Sequence, residues 1–277
     1  MSIIYTFLDT ILPFDWLSYD FMKNAFWAVL LITPLYGMLG TMAVNNKMAF
    51  FSDALGHSAL TGIALGVVLG IDNTTLSLIA FGVLVALGVT KVKNTRSVPA
   101  DTVIGVFSST AVALGLVVLS YGGGFSKYTS YLVGDILSVT PGELLSLLAV
   151  LLAVTAVWGA VYNRLLLLSV NRELAASRGV RIILIENIFV VLVAVVVMLS
   201  IRQIGILLIN SLLVLPAAAA RNISKGSRAY LLISVIIALF SGITGLILSF
   251  YLNSAAGASI VLVSAAVFTA TYLLRKK

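Results

Sequence analysis

The chain contains one histidine, His57, and an aspartate, Asp53, stands four residues before it. On a helix that spacing puts both side chains on one face, about one turn apart. A carboxylate beside an imidazole suits a divalent cation. The neutral imidazole matches zinc, manganese or iron, and the carboxylate adds a hard, charged oxygen. One of each is too few for a complete site, because zinc usually takes four ligands. Two copies meeting on a two-fold axis supply two aspartates and two histidines, which forecasts a homodimer with the pathway on its axis. Other readings stay open. The pair could satisfy itself as a buried couple or relay protons. If a helix starts at Asp53, that residue is an ordinary N-terminal acid favoured by the helix dipole. Thr61 continues the stripe, either as a hydroxyl behind the ligands or bonded to the carbonyl four residues earlier. Ser58, next to His57, is a second hydroxyl in that supporting position.

These residues lie in an apolar segment. A helix starting near Lys47 would carry Asp53 about 9 Å and His57 about 15 Å along its axis, near the middle of a bilayer. A charge at that depth costs about 2.5–3.5 kcal/mol on insertion scales, so it needs a partner or a purpose. Ala54, Ser58, Gly62, Gly66 and Gly70 recur every four positions. Such a ladder of small residues lets another helix approach closely.

The whole chain matches that setting. Of its 277 residues 61% are hydrophobic and 10% charged, with a mean hydropathy of +1.14. Soluble domains carry about 25% charged residues, so a soluble enzyme, a nucleic-acid-binding domain and a disordered chain are excluded. Cysteine is absent, which excludes disulfides and thiolate sites. There is no phosphate-binding G-x-x-x-x-G-K-[ST] loop and no nucleophile–base set, so the chain is read as neither an ATPase nor another enzyme. No permanently bound cofactor is expected.

Apolar runs cover about 25–44, 47–70, 75–90, 102–121, 143–163, 182–200, 204–220, 229–250 and 257–274. Each approaches the roughly 20 residues that cross a bilayer, and 204–220 is short, so the fold class is an all-α membrane bundle of eight to nine helices. Asp72-Asn73-Thr74, Ser97-Val98-Pro99 and Tyr121-Gly122-Gly123-Gly124 supply turns between them. With the C-terminus in the cytoplasm, fourteen of the seventeen basic residues fall inside, leaving Lys23, Lys127 and Arg202 outside. The positive-inside rule therefore places the N-terminus outside and the C-terminus inside. Residues 1–24 lack a basic leader and carry Asp9, Asp15 and Asp20 among aromatics. They read as an interfacial amphipathic segment preceding a permease domain over 25–277.

Two connections exceed a simple turn. The outer one, 122–142, holds Tyr128, Tyr131 and Asp135, with Glu143 just beyond, and has room for a short interfacial helix. The inner one, 164–181, contains Asn171, Arg172, Glu173, Leu174, Ala175, Ala176, Ser177, Arg178 and Gly179. It reads as about two helical turns ended by glycine, either a docking surface or a solvated basic loop. Glu186 is read as capping the next span at the inner interface, and Pro34 and Pro216 as kinking their spans or freeing a carbonyl.

The stretch Ser52-Asp53-Ala54-Leu55-Gly56-His57-Ser58-Ala59-Leu60-Thr61-Gly62-Ile63-Ala64-Leu65 resembles the G-D-A-L-S-H-A-V-L-P-G-V-A-L signature of the manganese/zinc/iron ABC-importer permeases, the ABC-3 family. Asp101 to Ser108 with Ala113-Leu114-Gly115, Ser211 to Ala218 with Ala220-Arg221, and Gly257 to Leu262 resemble further blocks of that family, in order along the chain. The resemblance implies a homodimeric permease of the bacterial cell membrane. It would be served by two cytoplasmic ATPase subunits and an extracytoplasmic metal-binding protein, with lipid around it and no nucleic acid. It places the pathway-lining aspartate and histidine on Asp53 and His57, and the helix that docks on the ATPase on Asn171–Gly179. Ser52, Gly56, Thr61, the Asn45-Asn46-Lys47 approach and Asn210 depart from the family pattern without removing either ligand.

The same residues read without the resemblance leave a second function open, an ion-coupled secondary transporter with Asp53 and His57 relaying protons.

Overall fold

The computed structural model describes residues 14–71, 73–95, 99–121 and 130–275. Expectations that fall on residues 1–13, Asp72, Arg96, Ser97, Val98, Gly122 to Gly124, Lys127, Tyr128, Lys276 and Lys277 lie outside them. Among the described residues every regular element is helical. Hydrocarbon offers the backbone no hydrogen bonds, and a helix satisfies its own. The long helices are α1 (Asp20–Asn45), α2 (Phe51–Val68), α3 (Thr74–Lys93), α4 (Ala100–Tyr121) and α5 (Pro141–Val170). After the short α6 (Arg172–Ser177) come α7 (Ile182–Ile204), α8 (Ile206–Ile223), α9 (Ser227–Leu252) and α10 (Ala256–Leu273). Eight of these, all but α6 and α8, are long and apolar enough to cross a membrane.

Helix α8 belongs to the shorter stretch singled out in the sequence. It leaves α7 through one residue, Gly205, whose φ of 90° is open to glycine. It then runs beside α10: Leu208 abuts Gly257 at one end, and Asn222 Nδ2 donates to Thr271 Oγ1 at 3.3 Å at the other. It therefore spans nearly the length of a candidate crossing.

Helices α1, α8, α9 and α10 pack as one group and α2, α3, α4 and α7 as another, joined where α8 meets α2 and α5 meets α1 and α7. Leucines and isoleucines such as Leu84, Leu145, Leu152, Leu232, Ile236 and Leu262 remain exposed around the bundle, as a lipid-facing surface requires.

Several boundaries differ from the sequence reading. The first long helix begins at Asp20, and Trp16 and Leu17, on a 3-10 turn over Asp15–Ser18, are buried against the bundle. Helix α5 continues seven residues beyond the expected end at 163, to Val170, because the leucine run after Arg164 has no helix breaker. The second span starts at Phe51 and not near Lys47. Lys47 takes a left-handed φ of 56°, its N–H bonds Val44 O, and Met48 N–H bonds Ala43 O, the closure that ends a helix. The same pattern ends α6 at Gly179, as expected, with Gly179 N–H to Ala176 O and Val180 N–H to Ala175 O. The outer connection holds a helical turn over Ser130–Val133 and a 3-10 turn over Ile136–Ser138. Pro34 and Pro216 sit inside helices that continue through them.

Contacts gather the basic residues at one end of the bundle. Lys93 and Arg172 share Glu186, Lys93 also reaches Met48 beside Lys47, and Tyr162 OH bonds Ser227 O next to Arg228. At the other end Arg202 pairs with Glu143 at 2.6 Å, while the Glu143 carboxylate and the Thr140 hydroxyl cap the start of α5 for each other.

Candidate metal site

Helix α2 is the most buried of the eight candidate spans. Between Phe51 and Gly66 every residue is buried except Asp53, His57 and Leu65. The small-residue ladder explains the tight packing: Gly62 lies against Leu78 and Phe81 of α3, and Gly66 against the Ser77 side chain. Ser77 Oγ donates to Gly62 O at 2.6 Å. The ladder ends at Gly70, which has the positive φ that closes a helix.

Asp53 Oδ1 and His57 Nε2 are 3.6 Å apart, with side chains 41% and 34% exposed. That separation exceeds a hydrogen bond, so the two are not a mutually satisfied buried couple. Asp53 lies in the first turn of α2, about 3 Å along the axis, and His57 about 9 Å along it. Both are nearer the helix start than the sequence estimate, because the helix begins four residues later than assumed. The helix dipole favours an acid there, but Asp53 is not the N-cap, and Phe50, which is, makes no side-chain cap. The carboxylate therefore stands in the first turn beside the imidazole, within ion-pair range but beyond hydrogen-bond distance, and caps no backbone N–H. Two atoms 3.6 Å apart can share one ion at about 2.1 Å from each, with an angle of about 118° at the ion, about ten degrees wider than tetrahedral. Among the described residues no group of three or more His, Cys, Asp or Glu side chains comes together to hold a metal, so one copy offers this pair alone.

The flanking hydroxyls face backbone. Ser58 Oγ donates to Leu55 O at 2.7 Å. Thr61 Oγ1 donates across to Ala111 O of α4, not to the carbonyl one turn back. Gly115 of α4 also abuts Thr61, so α4 closes the stripe that is open at Asp53 and His57. Ser52 Oγ donates to Asn210 Oδ1 of α8 at 2.8 Å. The sequence marked both residues as unusual but gave no sign that they meet, since 158 positions separate them.

Residues 171–179 form α6 and its closing turn. Asn171 Oδ1 caps it by accepting from Leu174 N at 2.9 Å. Ala175 is buried, whereas Arg172, Glu173, Leu174, Ala176, Ser177, Arg178 and Gly179 are exposed. Glu186 is no cap. It is the fifth residue of α7, buried, and held by Arg172, Asn94 and Lys93. At the opposite end a cavity of about 540 Å³ is lined by Asn73, Thr74, Tyr131, Glu143, Arg202 and Gln203 among others.

Comparison with known proteins finds relatives along nearly the whole chain. The chain is 29% identical over 260 residues to the manganese import system permease protein ScaB of Streptococcus gordonii, covering 94% of this chain and 93% of that one. It is 29% identical to the high-affinity zinc uptake system membrane protein ZnuB of Haemophilus influenzae, covering 94% and 99%. Its fold matches PsaBC from Streptococcus pneumoniae, solved in complex with Fab, with a TM-score of 0.81 and 26% identity over 98% of this chain and 95% of that one. An inward-facing putative metal-chelate type ABC transporter shares the fold at a TM-score of 0.70 and 16% identity, over 91% and 85% of the two chains. Residues 18–275 match the ABC 3 transport family, and the chain belongs to that family as a multi-pass membrane permease.

Proposed function

We propose that the chain is the permease of an ABC importer for divalent manganese or zinc, and that two copies form the pathway with Asp53 and His57 of each at its axis. The observation that carries this is the face of α2. A helix buried nearly all round leaves a carboxylate and an imidazole half open, unbonded to each other and spaced to share a cation. Two copies supply four ligands, enough for such an ion. Ser58 and Thr61 support the site from behind by fixing α2 to its own backbone and to α4. The printed names of the relatives favour manganese and zinc as cargo.

In this reading the basic end is cytoplasmic and the chain crosses nine times, α8 completing the odd number that places the N-terminus outside. Residues before α1 rest at the outer interface. A metal-binding protein docks at the outer mouth, and ATP hydrolysis in partner subunits, felt through residues 171–179, alternates access to the site.

The test is reconstitution in proteoliposomes with ATPase subunits and a metal-loaded binding protein. Uptake of manganous or zinc ion that needs ATP and survives a protonophore is expected, with ferrous ion as a third arm. Uptake without ATPase, collapsed by the protonophore, would establish the ion-coupled alternative instead.

A further inference from the structure

Glu186 stands where three parts of the chain meet at the basic end, and its side chain is 10% exposed. Arg172, the first residue of α6, grips it with a fork, Nη1 to Oε1 at 3.0 Å and Nη2 to Oε2 at 3.4 Å. Asn94, the residue that ends α3, closes a triangle: its Nδ2 donates to Glu186 Oε2 at 2.8 Å and its Oδ1 accepts from Arg172 Nη2 at 3.1 Å. Lys93 Nζ lies 3.8 Å from Glu186 Oε1 and donates to Met48 Sδ at 3.5 Å. Met48 is buried in the turn before α2, and its carbonyl accepts from the N–H of Phe51, the first residue of α2, at 3.1 Å. Asp53 follows two residues later.

We propose that Glu186 is the positioning residue through which movement of α6 reaches the helix that carries Asp53 and His57. This rests on the reading of α6 as the surface that meets the ATPase. One carboxylate holds groups from both α6 and α3, so displacing Arg172 changes what holds Asn94 and Lys93. Charge-assisted bonds at a largely dry site give that link strength and direction. Helix α3 passes the displacement on by two routes. One runs through Lys93 and Met48 to the start of α2. The other runs along α3 as a rod, which Ser77 clamps to α2 at Gly62. An ion pair that served only to anchor the start of α7 would need one partner; this carboxylate divides both oxygens between two other helices.

The experiment uses the permease in proteoliposomes with its ATPase subunits and manganese-loaded binding protein, and measures manganous ion taken up per ATP hydrolysed. Glu186→Gln keeps the side chain's shape and removes its charge. It is expected to lower that ratio about tenfold while the ATPase still copurifies and still hydrolyses ATP. Asn94→Ala, at a partly exposed helix end, leaves the Arg172–Glu186 pair and is expected to lower the ratio in the same direction. It decides the matter alone if the Glu186→Gln chain does not assemble. Combining Glu186→Gln with Arg172→Ala should lower the ratio no further than either change does, since both break one link. A ratio unchanged in assembled complexes of both single variants overturns the relay. Leu174→Asp, on the exposed face of α6, tests the underlying reading separately. It is expected to release the ATPase; undiminished copurification refutes docking at α6, and the relay with it.

Discussion

A carboxylate 3.6 Å from an imidazole can trade a proton with it, pair with it or share a cation, and substitutions separate the three. Asp53→Asn keeps the volume and one hard oxygen but removes the charge; His57→Gln keeps a polar tip but removes the ring nitrogen. If the two are ligands, each variant should lose metal accumulation. Even changes behind a metal's ligands cost about 10–100-fold in affinity, so a direct ligand change is expected to lower uptake at least that far, while the permease still copurifies with its ATPase. Radiolabelled manganese or zinc uptake in cells carrying each variant reads this, and normal uptake by both removes the pair from the pathway. The pair was legible in the sequence because its spacing is local. The bond from Ser52 to Asn210 was not, because it depends on where α8 packs.

Among the elements, α2 is fixed by the ladder on the face next to Asp53 and His57. A Cβ added at Gly66 would lie 2.5 Å from Ser77 Oγ and 2.8 Å from its Cβ. Gly66→Val is therefore expected to push α3 off α2 at a cost of about 1–3 kcal/mol, read as a lower melting temperature of the purified permease in detergent. An unchanged melting temperature would show that α3 yields there freely. Nearly all the spans were visible as apolar runs, since lipid imposes length and composition on each. Their ends were less visible. Lys47 closes α1 in a left-handed turn that normally selects glycine or asparagine, so the polar Asn45-Asn46-Lys47 break did not reveal which helix it belonged to. The Glu186 cluster joins Asn94, Arg172 and Glu186 from three separate segments. A lone acid near a basic loop was the available signal, and helix capping was the simpler local account of it.

For the molecule as a whole, the proposed orientation rests on where the cations gather. The chain has no cysteine, so single cysteines report sidedness without any engineered background. Arg178→Cys, on the exposed turn after α6, should react with a membrane-impermeant thiol reagent only after the cells are opened. Asn253→Cys, at the turn between α9 and α10, should react in intact cells. The reverse pattern would invert the topology. The half-open face of α2 has one more consequence. In the proposed dimer, a copy inserted without its partner would leave the half-open Asp53 and His57 uncovered on α2. Joining a second copy would then cover them and complete the proposed cation seat in the same step. If the pair binds the cargo as proposed, the same two residues also distinguish a finished transporter from an orphan subunit, and quality control and transport share one turn of helix.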